Sequence, residues 1–144
     1  IPPAAIDQLA EALTASSADM ATLASPLNNH DDMLNANVVK VVTDARSEAL
    51  YFSRAAIPFN RDKSQAGFGD SMQHIGLYAY RAHFLDAYQT WNETGLEKTE
   101  QLEQLRALYY GARILVSILP DHHSPGVDTI EDLEKVRELI GCYD

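Results

Sequence analysis

Cysteine is almost absent from this chain: Cys142 stands alone among 144 residues, which excludes an intrachain disulfide framework and any cysteine-cluster zinc site and suits a reducing compartment. Basic residues are also scarce. Lys and Arg number 11 against 21 Asp and Glu, for a net charge of −10, and such a chain repels the phosphate backbone whose binding depends on basic side chains. Nucleic acid is not an expected partner. No apolar run approaches the ~20 residues of a membrane helix, Ile114 to Leu119 being among the longest, and no basic segment followed by an apolar one opens the chain. The expectation is a cytoplasmic protein without a membrane partner. Internal repeats, low-complexity segments and linkers are missing as well, so residues 1–144 read as a single domain. An initiator Met is missing too. Ile1-Pro2-Pro3 leads straight into an amphipathic helix, and the chain reads as a fragment already entered from something upstream.

What is present is an ordinary globular composition, 46% hydrophobic and 22% charged. Ile6, Leu9, Ala10 and Leu13 recur at helical spacing and predict a helix over Pro3 to Ala15. Met20 to Ala24 reads as a short strand, and Asn28 to Asn37 as a polar loop. Val38-Val39-Lys40-Val41-Val42 and the run from Ala49 to Ser53, separated by turn residues around Asp44, predict a hairpin. Residues Ile57 to Ser71 show neither period and read as an irregular loop. From His74 to Tyr80, Ile75, Leu77 and Ala79 alternate with His74, Gly76, Tyr78 and Tyr80, a period of two that predicts a strand. A short helix over Arg81 to Tyr88 follows, then one longer helix over Leu96 to Tyr110, stopped by Gly111. Ile114 to Leu119 returns as a strand, and a last helix begins after Thr129, with Ile130, Leu133, Val136 and Ile140 in its stripe. Interleaved helices and strands predict the α/β class, as a mixed, mostly parallel sheet flanked by helices with an antiparallel hairpin.

Several residues have the chemistry for a site. His74 and Tyr78 share a strand face, about 13 Å apart between Cα atoms at ~3.3 Å per residue, with Gly76 between them leaving room; they could floor a polar pocket or face solvent. Glu97, Glu100 and Glu103, with Arg106 one turn on, make either a site or a solvated face of weak ion pairs. Asp121-His122-His123 concentrates candidate ligands in a loop, but adjacent histidines of an extended chain point apart and the pattern is a poor zinc site. Asp128, after Gly126 at a helix entrance, is either a hard oxygen ligand for Mg²⁺ or a helix cap backed by Glu131. Arg54, closing its strand, could clamp an acidic substrate bidentately or pair at a surface.

Four segments in order resemble one known family. Ala49-Leu50-Tyr51-Phe52-Ser53-Arg54-Ala55-Ala56-Ile57-Pro58, His74-Ile75-Gly76-Leu77-Tyr78-Ala79-Tyr80-Arg81, Leu102-Glu103-Gln104-Leu105-Arg106 and Gly126-Val127-Asp128-Thr129-Ile130-Glu131-Asp132-Leu133 are similar to motifs of the 3-deoxy-manno-octulosonate (KDO) cytidylyltransferases of Gram-negative bacteria. The resemblance implies a nucleotidyltransferase-like fold and a reaction of lipopolysaccharide biosynthesis in which KDO attacks the α-phosphorus of CTP and pyrophosphate leaves. It implies Mg²⁺ as cofactor with Asp128 as a ligand, a KDO pocket lined by His74, Tyr78, Glu103 and Gln104 with Arg54 nearby, and a homodimer in whose interface the loop after Pro58 takes part. Gln73 stands where the family usually has Arg, and Ile130 where Pro is common. The family's glycine-rich phosphate loop and its other metal-binding Asp belong to a preceding half, expected upstream of Ile1, without which these residues are not expected to assemble the reaction centre. Two alternatives stay open: a non-catalytic sugar-acid-binding and dimerisation module, or a related synthetase acting on amino-substituted KDO or sialic acid.

Overall fold

The fold is built on a strand that is buried along nearly its whole length. In a computed structural model that describes residues 1–27, 29–62, 70–120, 130, 133, 134 and 137, β1 (Met20–Pro26) exposes only its last residue. Met20 and Ala24 enter one apolar cluster, with Val41, Phe52, Phe84, Leu105, Ile114 and Val116. Ala21 and Leu23 enter the other, with Ala5, Leu9, Leu13 and Ile75. Alternate residues of one strand thus fill the cores on both faces of a sheet, which is why the segment reads as a continuous apolar run.

The helix α1 (Pro3–Ala15) covers the second face. Its buried stripe is Ala5, Leu9 and Leu13; Ile6, expected inside, is 56% exposed, so the helix is rotated by about one position from the expected register. After β1 comes α2 (His30–Leu34), a single turn and a half inside the segment expected to be a polar loop. Asn29 caps it, its side-chain oxygen accepting from the Asp32 N–H at 2.7 Å. The hairpin forms as expected: β2 (Lys40–Thr43) pairs antiparallel with β3 (Ala49–Ser53).

β4 (Met72–Tyr80) is the long strand predicted from the alternation at His74 to Tyr80, and α3 (Ala82–Tyr88) follows it. The helix expected over Leu96 to Tyr110 is instead two, α4 (Gly95–Glu100) and α5 (Gln104–Tyr109), meeting at a corner where Gln101 adopts φ 55° and ψ 50°. No Gly or Pro marks that corner; Arg54, from the end of β3, holds it together with Glu100, the last residue of α4. β5 (Ile114–Ile118) completes the sheet, after Gly111 at φ 83° ends α5.

Strand order is β3-β2-β4-β1-β5. The α/β class and the mixed sheet stand, but the expectation of a mostly parallel sheet is corrected: among the described residues only β1 and β5 run parallel, while β1–β4, β2–β3 and β2–β4 are antiparallel. Alternating elements suggested parallel neighbours; β1 and β2 do run in the same direction, but β4, which runs opposite to both, lies between them, and β2–β3 is a tight hairpin. Of the last predicted helix, Ile130, Leu133, Glu134 and Arg137 are helical; its other residues lie outside the described ones.

Candidate functional site

The register of β4 against β1 decides the geometry here. Tyr78 pairs with Thr22 and His74 with Ala24, so four residues of β4 span what two residues of β1 span, and the ladder shifts between Thr22 and Leu23. The bulge draws together side chains that a straight strand would hold about 13 Å apart. The His74 and Tyr78 rings lie 5.4 Å apart, centroid to centroid. Gly76 sits in the bulge with a negative φ and nothing within 4 Å of a built Cβ, so its lack of a side chain is not what makes the room.

His74 packs edge-on against Phe52 at 4.9 Å, and its Nε2 lies 2.9 Å from Thr22 Oγ1. That hydroxyl is fully buried and also faces the carbonyls of Leu77 at 2.9 Å and Ile75 at 3.2 Å. Thr22 has one proton to give, and two carbonyls that accept only; it donates to a carbonyl and accepts from Nε2–H of His74. The neutral imidazole therefore carries its lone pair on Nδ1, which makes no hydrogen bond with any described residue. Burial supports the same state, pushing the His74 pKa down to about 4 from an ordinary 6.5.

Beside this pair lies a cavity of about 180 Å³. Tyr78, Tyr80 and Tyr88 line it from β4 and α3, and Glu103 and Gln104 from the start of α5, over an apolar floor of Met20, Phe84 and Ala107. Rings continue from Tyr78 to Tyr80 at 5.9 Å and from Tyr80 to Phe84 at 5.8 Å, both stacked. Burial, then the nearby Tyr80 and Glu103, pushes the Tyr78 hydroxyl well above its ordinary pKa, so it is a proton donor at neutral pH. The buried Gln104 makes no side-chain hydrogen bond with any described residue. Ser71 Oγ is the buried side-chain polar atom without a partner among the described residues, so the Gln104 carboxamide is open to the cavity and can meet a ligand there. With a carboxylate, a carboxamide and tyrosine hydroxyls around a small opening, the site suits a polyhydroxylated ligand.

The structure therefore brings Tyr78, Glu103 and Gln104 into one cavity, with His74 adjoining through its ring contact with Tyr78. Arg54 is not on the cavity wall. Its Nε donates to the Glu100 carbonyl at 2.8 Å, Nη1 to that of Ala36 at 3.0 Å and Nη2 to that of Gln101 at 3.3 Å. Asp128, His122 and His123 lie outside the described residues, among which no group of three or more His, Cys, Asp or Glu gathers as for a metal ion. Thr22, Tyr80 and Tyr88 were not among the residues singled out from sequence. Tyr80 continues the alternation of His74 and Tyr78, and Thr22 is a lone hydroxyl inside an apolar strand; either could have been marked on those grounds.

Comparison with known proteins gives concordant matches. Residues 1–114 match the family model described as cytidylyltransferase. A 3-deoxy-manno-octulosonate cytidylyltransferase of Aliivibrio fischeri (strain MJ11) is 51% identical over 144 residues, covering 97% of this chain, and that of Vibrio vulnificus (strain CMCP6) is 52% identical over 146 residues, covering 99%. The chain spans 58% of the length of each of these relatives. A solved structure of CMP:2-keto-3-deoxy-manno-octonic acid synthetase complexed with CTP superposes with a TM-score of 0.89 at 34% identity, over 100% of this chain and 58% of that one.

Proposed function

The chain belongs to the cytidylyltransferase family, and from that premise we propose that it supplies the sugar-acid side of a reaction joining CMP from CTP to 3-deoxy-manno-octulosonate, with release of pyrophosphate. The anomeric hydroxyl of the sugar acid forms the new bond to the α-phosphorus, the bond to the β-phosphate bridge breaks, and the hydroxyl proton passes to solvent. In this reading the cavity orients the sugar acid and narrows its approach to one geometry. The Tyr78 hydroxyl donates to a sugar oxygen, Glu103 accepts from sugar hydroxyls and Gln104 does both, while His74 backs the Tyr78 ring from outside the cavity. The observation that carries the reading is the Gln104 carboxamide, which makes no hydrogen bond with any described residue and opens into one cavity beside Glu103 and Tyr78. At about 180 Å³ the cavity is small beside the ~300–1,000 Å³ of drug-sized sites, and suits a monosaccharide acid.

Mg²⁺ belongs to the proposal through Asp128, as the resemblance assigns it; when bound it offsets charge developing on phosphate oxygens. A homodimer, a role in lipopolysaccharide biosynthesis and a cytoplasmic site of action, where CTP is made available, complete the reading. None of the described helices is long and apolar enough to cross a membrane. The test is a hybrid in which this chain replaces the matching segment of the Aliivibrio fischeri relative. Pyrophosphate release from CTP that requires KDO is the expected result. A folded hybrid with no such activity, or one that prefers a sialic acid, overturns the proposal.

A further inference from the structure

The α4–α5 corner is held by contacts that run both ways between Arg54 and Glu100. Glu100 Oε1 accepts from Ser53 Oγ at 2.7 Å and Oε2 from the Arg54 backbone N–H at 2.9 Å. In return the Arg54 guanidinium donates to the carbonyls of Glu100 and Gln101, the last of α4, and also to that of Ala36. The Glu100 and Gln101 carbonyls have no helical partner because Gln101 turns left-handed, and a cation at a helix C-terminus satisfies both the orphan acceptors and the dipole. The Arg54 carbonyl is fixed too, by the fully buried Lys40, whose Nζ donates to it at 2.6 Å and to those of Asn35 and Val38 at 2.8 and 2.5 Å. Residue 54 is thus tied at its N–H, its carbonyl and its side chain. Two and three residues past the corner stand Glu103 and Gln104. Their entry into the cavity depends on where α5 starts, and an uninterrupted helix would carry them past the cavity on another heading.

We infer that Arg54 and Glu100 form a reciprocal clasp that positions Glu103 and Gln104, with Arg54 acting through the α4–α5 corner and not by touching the ligand. This rests on the proposed sugar-acid site for its functional consequence, though not for its geometry. The guanidinium has its three nitrogens occupied by carbonyls, and a fork so placed is not turned toward a carboxylate. Arg54 is therefore a positioning residue, and the corner it holds is what a helix-period pattern over 96–110 could not reveal.

Two variants of the full chain, Arg54→Met and Glu100→Gln, test the clasp by two readouts. The first needs no ligand: hydrogen exchange at the amides of Leu102, Leu105 and Arg106, which bond to the carbonyls of Glu97, Leu102 and Glu103. In both variants these should exchange about tenfold faster or more, the scale of one or two charge-assisted hydrogen bonds, while β1 and β4 amides keep their rates. The second is calorimetric binding of KDO and of its carboxamide analogue. A clasp predicts that Arg54→Met weakens both by the same factor, about tenfold, and that adding Glu103→Gln weakens binding little further. A loss confined to the acid makes Arg54 a direct partner of the carboxylate and overturns the inference, as do unchanged corner exchange rates in either variant. If Arg54→Met does not fold, Glu100→Gln decides by the same criteria. If the unaltered protein binds neither compound, the proposed function falls, and the exchange rates alone judge the clasp.

Discussion

Replacing His74 by Gln removes one titrating group whose folded and unfolded states differ, and the size of the effect can be worked from the structure. Burial between Phe52 and Tyr78 holds the imidazole near a pKa of about 4, against 6.5 in the unfolded chain. Between those values the unfolded chain binds more protons than the folded one. Stability is therefore whole above about pH 6.5 and falls as pH drops toward 4. At 1.36 kcal/mol per unit the full gap is about 3 kcal/mol, of which about 2 kcal/mol is lost between pH 7.5 and pH 5. Gln keeps an amide N–H that can donate to Thr22 Oγ1 but does not titrate. The assay is urea denaturation of both proteins at the two pH values. The unaltered protein should lose about 2 kcal/mol more than His74→Gln on acidification, because every other titrating group is common to both. Equal pH dependence in the two proteins refutes the argument that His74 is held neutral by its burial.

Further outcomes follow from other parts of the molecule. Thr94 and Glu97 cap α4 reciprocally, the Thr94 side chain accepting from the Glu97 N–H at 3.2 Å and Glu97 Oε2 from the Thr94 N–H at 3.3 Å; Thr94→Ala should lower stability by ~1 kcal/mol in urea denaturation, and an unchanged midpoint contradicts the capping box. Asp128→Asn in the hybrid enzyme should lower turnover by at least ~10²-fold at saturating Mg²⁺ with the melting temperature nearly constant, since Asn caps a helix about as well as Asp; near-normal turnover sinks the metal assignment. Sedimentation of the protein at micromolar concentration should give the mass of a dimer with an apolar interface centre, an expectation consistent with Phe59 standing 83% exposed just past Pro58; monomer mass alone counts against it.

Local patterns of period two or of turn chemistry were legible in the sequence. Alternation at His74 to Tyr80 marked β4, β-branched residues around Lys40 marked the hairpin, and Gly111 marked the end of α5. Long-range contacts were not. The α4–α5 corner is made by Arg54, far away in the chain, and leaves no breaker residue behind. The antiparallel pairing followed from β4 lying between β2 and β1, an order that element counting ignores, and the helical stripe of α1 slipped because a lone Ile6 outweighed the small, buried Ala5. At the site, residue identity was readable and spacing was not: His74 and Tyr78 shared a face as expected, but their closeness depends on a bulge set by pairing with β1. Glu103 and Gln104 rested on motif resemblance, because helical spacing alone placed Glu97, Glu100 and Glu103 on equal footing. The three glutamates now separate by what they touch, Glu97 pairing with Arg106, Glu100 holding Arg54 and Glu103 lining the cavity.

The central claim is that the cavity between β4 and α5 binds the sugar acid and not the nucleotide, and Tyr78→Phe tests it most directly. The change removes one hydroxyl and keeps the ring that stacks on Tyr80 and meets His74 at a tilt. Measured in the hybrid enzyme, KM for KDO should rise about tenfold, the scale of a lost hydrogen bond at ~1.4 kcal/mol, while KM for CTP stays the same. An unchanged KM for KDO, or a loss that falls on CTP, would contradict the account.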